Sequence, residues 1–135
     1  DGSYELNLNY FRHHCEKIEY EWDNCSPLIG TLFSPKLEKL LGPARDKDIA
    51  LTQYHMDIAH SAQAMYEEAF FHLLKKLHSK YNLDAIAIAG GCGMNSVANG
   101  KIKNQTKFKN IYIQPAAGDA GGSIGAAFAT HFKNL

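Results

Sequence analysis

The sequence predicts an α/β fold in which helices pack against a mainly parallel sheet. Two short apolar runs, DAIAIA (84–89) and NIYIQ (110–114), are each followed by a glycine-rich loop and a helix-like segment. A third stretch, 53–80, places apolar residues three and four positions apart and contains neither glycine nor proline. A strand, a glycine loop and a helix occurring twice in succession are typical of parallel-sheet proteins.

Composition suits one soluble globular domain over the 135 residues, with 45% apolar and 21% charged residues. Lys plus Arg and Asp plus Glu each number 14, so the net charge of zero argues against a nucleic-acid partner. No apolar stretch is long enough to span a bilayer, so no membrane association is expected. The three cysteines are irregularly spaced, which favours a reducing, cytoplasmic location.

The first third of the chain gives two local predictions. Alternation of Tyr4, Leu6, Leu8 and Tyr10 with polar residues predicts a half-buried strand over 3–11. The stretch 12–27 is mixed and predicts no element. Residues 34–42 predict a short helix, since it would have Ser34 as its cap, Pro35 at its first position and Gly42 at its end.

A long helix is predicted over 53–80. It would begin near Asp48 or Thr52 and stop at Asn82. Its apolar residues form a single stripe along one face. They are Ile58, Ala62, Met65, Tyr66, Ala69, Phe70, Leu73, Leu74 and Leu77.

The two strand–loop–helix units complete the fold. The run AIAIA is short and uninterrupted, which is typical of a strand buried on both faces of a parallel sheet. Helices are expected within SVANGKI (96–102) and SIGAAFATHF (123–132). In such sheets ligands bind beyond the carboxyl ends of the strands, where both glycine loops would lie.

The glycine loops are therefore candidate ligand sites. Glycines permit close backbone approach, and free N–H groups at a helix start attract anions. Asn95 would cap the following helix or bind the ligand, and Asp119 would hold a cation, orient a hydroxyl or cap a helix. Simple turn chemistry remains an alternative for either loop. The glycines concerned are Gly90, Gly91 and Gly93 in the first loop, and Gly118, Gly121 and Gly122 in the second.

Two other sites have weaker support. Gly91-Cys-Gly93-Met-Asn-Ser96 resembles the dinucleotide fingerprint but ends in serine, which weakens the case for an NAD-dependent oxidoreductase. A zinc site built from His13, His14, Cys15 and Cys25 matches no common ligand spacing.

The two loops together resemble a known family. IAGGCGMNSVANGKI and IYIQPAAGDAGGSIGAAF are similar to segments of the carbamoyltransferases of the nodulation-protein and antibiotic-biosynthesis type. The similarity extends, in the family's order, through DGSYELNLNYFRHH, LLGPARDKD and DIAHSAQAMYEEAFFHLL. It covers essentially the whole chain.

This resemblance implies an actin-like, ribonuclease H-like ATPase fold of the sugar kinase and heat-shock ATPase superfamily, in its tRNA-threonylcarbamoyl-synthase branch. Family members use ATP and carbamoyl phosphate to form a carbamoyl-adenylate, and transfer the carbamoyl group to a hydroxyl of a small acceptor. The family motif assigns nucleotide contacts to Gly90, Gly91 and Asn95, and makes Asp119 a ligand of a divalent metal (Fe, Zn or Mg). It assigns shaping of the second loop to Gly118, Gly121 and Gly122.

The resemblance also implies that residues 1–135 are the second half of the actin-like domain of a longer protein. The histidines and the further carboxylate that complete the family's metal site lie in an earlier half-domain, whose motifs are not found in residues 1–30. Little or no transferase activity is therefore expected of the chain alone. A non-catalytic nucleotide-binding or interaction module is the alternative, with self-association through the face meant for the other half.

Overall fold

The chain forms two compact units in a computed structural model that describes residues 3–24 and 26–133. One unit comprises Tyr4–Met56, and the other comprises residues 57–133 together with Ser3. None of the described helices combines the length and the apolar composition needed to cross a membrane.

The first unit contains a small antiparallel hairpin that the sequence did not indicate. Strands β1 (Tyr20–Asp23) and β2 (Ser26–Ile29) pair with Tyr20 opposite Ile29. Asn24 turns the chain in the left-handed region, with φ 45°. The hairpin escaped prediction because its large apolar side chains face solvent: Trp22 is 75% exposed, so no alternation marks a buried face.

The strand predicted over 3–11 is wrong. Residues Leu8–Tyr10 form a 3-10 turn instead, and the side chain of Asn7 accepts a hydrogen bond from the amide of Asn9 at its start. This local bond competes with strand pairing, as asparagine side chains often do. The segment's one pairing of the sheet type within the described residues is an isolated bridge between Phe11 and Phe33.

The short helix α1 (Pro35–Leu41) confirms the prediction for 34–42. Pro35 occupies its first turn, and Gly42 ends it with φ 73°, a conformation that glycine adopts without strain. Ser34 stands at the cap position but does not cap, because its hydroxyl donates to the carbonyl of Asn9 at 2.7 Å.

The long helix is also confirmed, as α2 (Gln53–Tyr81). Thr52 immediately precedes it, and Asn82 ends it with φ 50° while its amide donates to the carbonyl of His78. The predicted apolar stripe is only partly covered: Leu74 is buried, but Met65 is 66% exposed.

The second unit is built around two parallel strands. Strand β3 (Ala85–Ile88) pairs with β4 (Asn110–Ile113), with Ile88 opposite Ile113. Helices α3 (Ser96–Gln105) and α4 (Gly121–Lys133) follow the two strands, as the sequence predicted.

The core of this unit lies on one side of the parallel sheet. Its centre is a cluster of four buried side chains: Phe71, Leu74, Ile102 and Phe108. Three partly buried strand residues pack against this cluster: Ile86, Ile88 and Ile111. Ala85, Ala87 and Tyr112 alternate with these isoleucines and are exposed. The prediction that AIAIA is buried on both faces of the sheet is therefore wrong for the described residues. The helices of this unit cover only the face that carries the isoleucines.

Candidate functional site

The parallel register brings the two glycine loops together. Because β3 and β4 end level with one another, the chain leaves both strands at the same edge of the sheet. The amide of Gly90 donates to the carbonyl of Ala117 at 2.7 Å, which joins the first loop directly to the second. Met94 adds a second contact, since its sulfur lies 3.7 Å from where a side chain on Gly118 would begin.

The first loop has a backbone that only glycine adopts easily. Gly90 has φ 103° and ψ 160°, and the chain then winds into a 3-10 turn, Gly91–Met94. Gly93 is buried within that turn, where a Cβ would approach Ile88 Cγ2 to 2.9 Å. Gly91, in contrast, has open space where a side chain would stand, so a ligand can approach its backbone.

Two carbonyl groups of this turn already accept hydrogen bonds from side chains. Tyr66 Oη donates to the carbonyl of Cys92 at 2.9 Å, and Asn99 Nδ2 donates to that of Gly93 at 2.7 Å. Among described residues, the amides of Gly91 and Cys92 have no acceptor. The turn therefore offers donors to a ligand, which suits phosphate or hydroxyl oxygen atoms.

Tyr66 is a half-buried anchor of the turn. Burial raises the pKa of its phenol, and the nearby Cys92 thiol raises it further. The phenol therefore stays protonated well above neutral pH and remains a hydrogen-bond donor to the loop. The sequence assigned Tyr66 to the apolar stripe and gave no sign of this second role.

The second loop is tightly wound. Gly121 donates to the carbonyl of Gly118 at 3.1 Å, and Gly122 donates to that of Asp119 at 3.1 Å. A Cβ on Gly121 would overlap the carbonyl oxygen of Ala116, whereas one on Gly122 would meet nothing within 4 Å. Gly121 is thus required by packing, and Gly122 leaves an open surface.

Asp119 is the one acidic residue in these loops, and it is exposed. Its side chain makes no hydrogen bond to another described residue, so it is available as a ligand. No three His, Cys, Asp or Glu side chains gather as a metal shell among the described residues. Asp119 can therefore supply one carboxylate, and a metal bound there would take its other ligands from elsewhere.

The structure adds no support for a zinc site near the start of the chain. Its fourth member, Cys25, lies outside the described residues. Cys15 is an exposed free thiol.

Asn95 occupies the junction of the first loop and α3. Its Oδ1 accepts the amide of Ala98 at 3.0 Å, so the predicted helix cap is confirmed. Its side chain also forms a reciprocal pair with Gln63 of α2: Asn95 Nδ2 donates to Gln63 Oε1 at 2.9 Å, and Gln63 Nε2 lies 3.3 Å from Asn95 Oδ1.

The pair continues into an ion pair between helices. Gln63 Nε2 donates to Glu67 Oε1 at 2.9 Å, and Lys101 Nζ lies 2.7 Å from both carboxylate oxygens of Glu67. The hydrogen bond from Gln63, together with that from Lys101, lowers the pKa of Glu67. Sequence reasoning missed Gln63 and Glu67, although their spacing of four along α2 places them on one face of the helix.

The family model described as "Carbamoyltransferase N-terminus" matches residues 1–128. The protein sll1178 of Synechocystis is 39% identical over 136 residues, which cover 100% of this chain and 20% of the relative. No solved structure matches.

Two further relatives have descriptive names. The nodulation protein NolNO of Sinorhizobium fredii is 37% identical over 83 residues, 62% of this chain and 12% of NolNO. The probable carbamoyltransferase HypF of Methanocaldococcus jannaschii is 35% identical over 81 residues, 57% of this chain and 11% of HypF. The chain thus spans a fifth or less of the length of these relatives.

Substituting the two adjacent glycines at the start of α4 should separate the contribution of packing to the free energy of unfolding from that of helix propensity. Gly121→Ala should destabilise the fold by about 1–3 kcal/mol, because the new Cβ overlaps the Ala116 carbonyl. Gly122→Ala is the matched control and should stabilise by about 0.5–1 kcal/mol, as alanine is the better helix former. Urea unfolding monitored by circular dichroism measures both, and equal effects would contradict the packing account.

Removing the lysine partner of Glu67 should change its titration. The folded pKa of Glu67 lies below its unfolded value, so its contribution to stability is present above about pH 4.3 and is lost as pH falls through the folded pKa. Lys101→Met should raise that folded pKa and weaken this acid-sensitive part of stability. Carboxyl NMR titration measures the shift; Lys103→Met on the same helix is the control and should leave Glu67 unchanged.

Proposed function

The chain belongs to the carbamoyltransferase family, and from this membership we propose that it forms the nucleotide- and metal-binding part of an ATP-dependent O-carbamoyltransferase. In the whole protein, ATP and carbamoyl phosphate would yield a carbamoyl-adenylate. The carbamoyl group would then pass to a hydroxyl of a small acceptor. Both steps would require the full-length protein, in which this chain would form one side of the active site.

The observation that carries the proposal is the hydrogen bond between Gly90 and Ala117, which makes one continuous surface of two loops. On that surface Gly90, Gly91 and Asn95 would contact the nucleotide. The second loop would complete the contact through Gly118, Gly121 and Gly122. Open space at Gly91 and Gly122 supports this assignment, because a ligand can reach the backbone at both positions.

The proposed chemistry relies on position and charge. Adenylation gives the carbamoyl carbon a nucleotide leaving group, so attack by the acceptor hydroxyl releases AMP. Donors of the first loop would hold the nucleotide oxygens. Asp119 would bind a divalent cation (Fe, Zn or Mg), which polarises the carbamoyl carbonyl when bound.

We further propose that the chain is the second half of an actin-like domain, acting in the cytoplasm. Two successive strand–glycine loop–helix units and a long preceding helix agree with the order expected of that half. The chain's share of its relatives, 20% of sll1178, is compatible with a part of this kind.

An interaction module is the second candidate, and α4 is the observation that favours it. Ile124, Phe128 and Phe132 follow one another at intervals of four and are 43%, 58% and 66% exposed. A stripe of this kind on one helix face is typical of a surface covered by another protein segment or by a second copy. This candidate does not require Asp119 to bind a metal.

Substitution of Asp119 separates the two functions. Calorimetry should detect ATP binding to the chain that strengthens when Mg²⁺, Zn²⁺ or Fe²⁺ is added. Asp119→Asn should abolish that increment, a loss of about fivefold to tenfold in affinity, because an amide does not replace a carboxylate toward a cation.

The control for this experiment is Glu68→Gln, which removes an exposed carboxylate from α2. It should keep the metal-dependent increment. An increment that survives in Asp119→Asn would favour the interaction module, and an absence of ATP binding in the wild-type chain would contradict the proposed function.

A further inference from the structure

We propose that Gln63 is a positioning residue that fixes the side chain of Asn95, so that Asn95 meets the nucleotide as a hydrogen-bond donor. This inference rests on the proposed function and adds a specific chemistry to it. Gln63 lies on α2, 32 residues from Asn95 in sequence, and belongs to neither glycine loop.

The side-chain amides of Gln63 and Asn95 can each be oriented in only one way, because each has a second partner of fixed type. At one end is the carboxylate of Glu67, which at neutral pH only accepts hydrogen bonds, so Gln63 must turn its NH₂ group toward it. Gln63 Oε1 is then left to accept from Asn95 Nδ2. At the other end, the backbone amide of Ala98 only donates, so it requires Oδ1 of Asn95. The two requirements agree.

Lys101 holds the carboxylate end in place. Its ammonium contacts both oxygens of Glu67, whose side chain is only 16% exposed. One turn along the same helix, the Tyr66 phenol holds the carbonyl of Cys92. Gln63, Tyr66 and Glu67 thus lie on one face of α2 and secure both the first loop and α3.

The side chain of Asn95 has one hydrogen-bonding group that these contacts do not use. Its Oδ1 has two lone pairs, and these are taken by Ala98 and Gln63. Of its two N–H groups, one donates to Gln63. One N–H remains, so Asn95 can offer a nucleotide a donor but no acceptor. The matching atom on the nucleotide is an acceptor: an oxygen of the phosphate or the ribose, or a ring nitrogen of the adenine.

The test compares AMP binding by NMR titration or calorimetry in four forms of the chain. Gln63→Met keeps the length of the side chain but removes the amide, and should weaken AMP binding about tenfold, the effect of one hydrogen bond. The control Gln105→Met, an exposed glutamine on α3, should bind like wild type. The exchange Gln63→Glu with Glu67→Gln restores an acceptor facing Asn95 Nδ2 but not the donor to Asn95 Oδ1, so it should recover part of the lost affinity.

A merely structural role for Gln63 would leave the NMR signals of the Asn95 side-chain amide in place in Gln63→Met, whereas loss of the Gln63 acceptor should shift them. Affinity of Gln63→Met equal to wild type, or an exchange variant as weak as Gln63→Met, overturns the inference while leaving the proposed function intact. Failure of the wild-type chain to bind AMP overturns both. Repeating the titration with adenosine assigns the acceptor: a loss seen with AMP alone places it on the phosphate, and a loss with both places it on the nucleoside.

A second variant covers the case in which Gln63→Met does not fold. Asn95→Ser retains a neutral helix cap on α3 but lacks the amide donor. It should also weaken AMP binding about tenfold. Unchanged affinity in Asn95→Ser overturns the donor role.

Discussion

Parallel pairing of β3 with β4 is the constraint on which the candidate site depends. Since the strands run the same way and end level, the two glycine loops must leave the sheet at one edge. The Gly90–Ala117 hydrogen bond then joins them. An antiparallel pairing of the same strands would put the loops at opposite ends, and no shared surface would exist.

The rest of the second unit holds this edge in place. Phe71, Leu74, Ile102 and Phe108 form the core beneath the sheet and set where α2 and α3 lie. Above that core, polar contacts from α2 reach the loop itself, through Tyr66 and the Gln63–Asn95 pair. Apolar packing thus sets the distance between helices and loop, and directional hydrogen bonds set the orientation of the groups that would meet a ligand.

Much of the fold could be predicted from local patterns in the sequence. The long helix, α1 and both strand–loop–helix units carry periodicity and end signals that depend on neighbouring residues only. The 3-10 turn at Leu8–Tyr10 and the β1–β2 hairpin could not be predicted in this way. In the first, a side-chain bond from Asn7 outweighs an alternating pattern, and in the second no face is buried to produce one.

The candidate site was predictable only in part. Glycine loops after apolar strands indicate where a ligand would lie, and the family resemblance indicates which one. The Gln63–Asn95 and Tyr66–Cys92 contacts join residues 32 and 26 positions apart, and no spacing rule in a single sequence predicts such pairs. Which amide faces which depends on Glu67 and Lys101, which come together only in the folded chain.

The most direct test of the account is amide NMR of the chain during titration with AMP. If the joined loops are one nucleotide surface, the largest shifts should fall on the backbone amides of Gly90, Gly91 and Cys92 and of Gly118 to Gly122. Shifts concentrated in residues 4–56, or around Asn104–Lys107 at the far end of α3, would contradict it. So would a spectrum that AMP leaves unchanged.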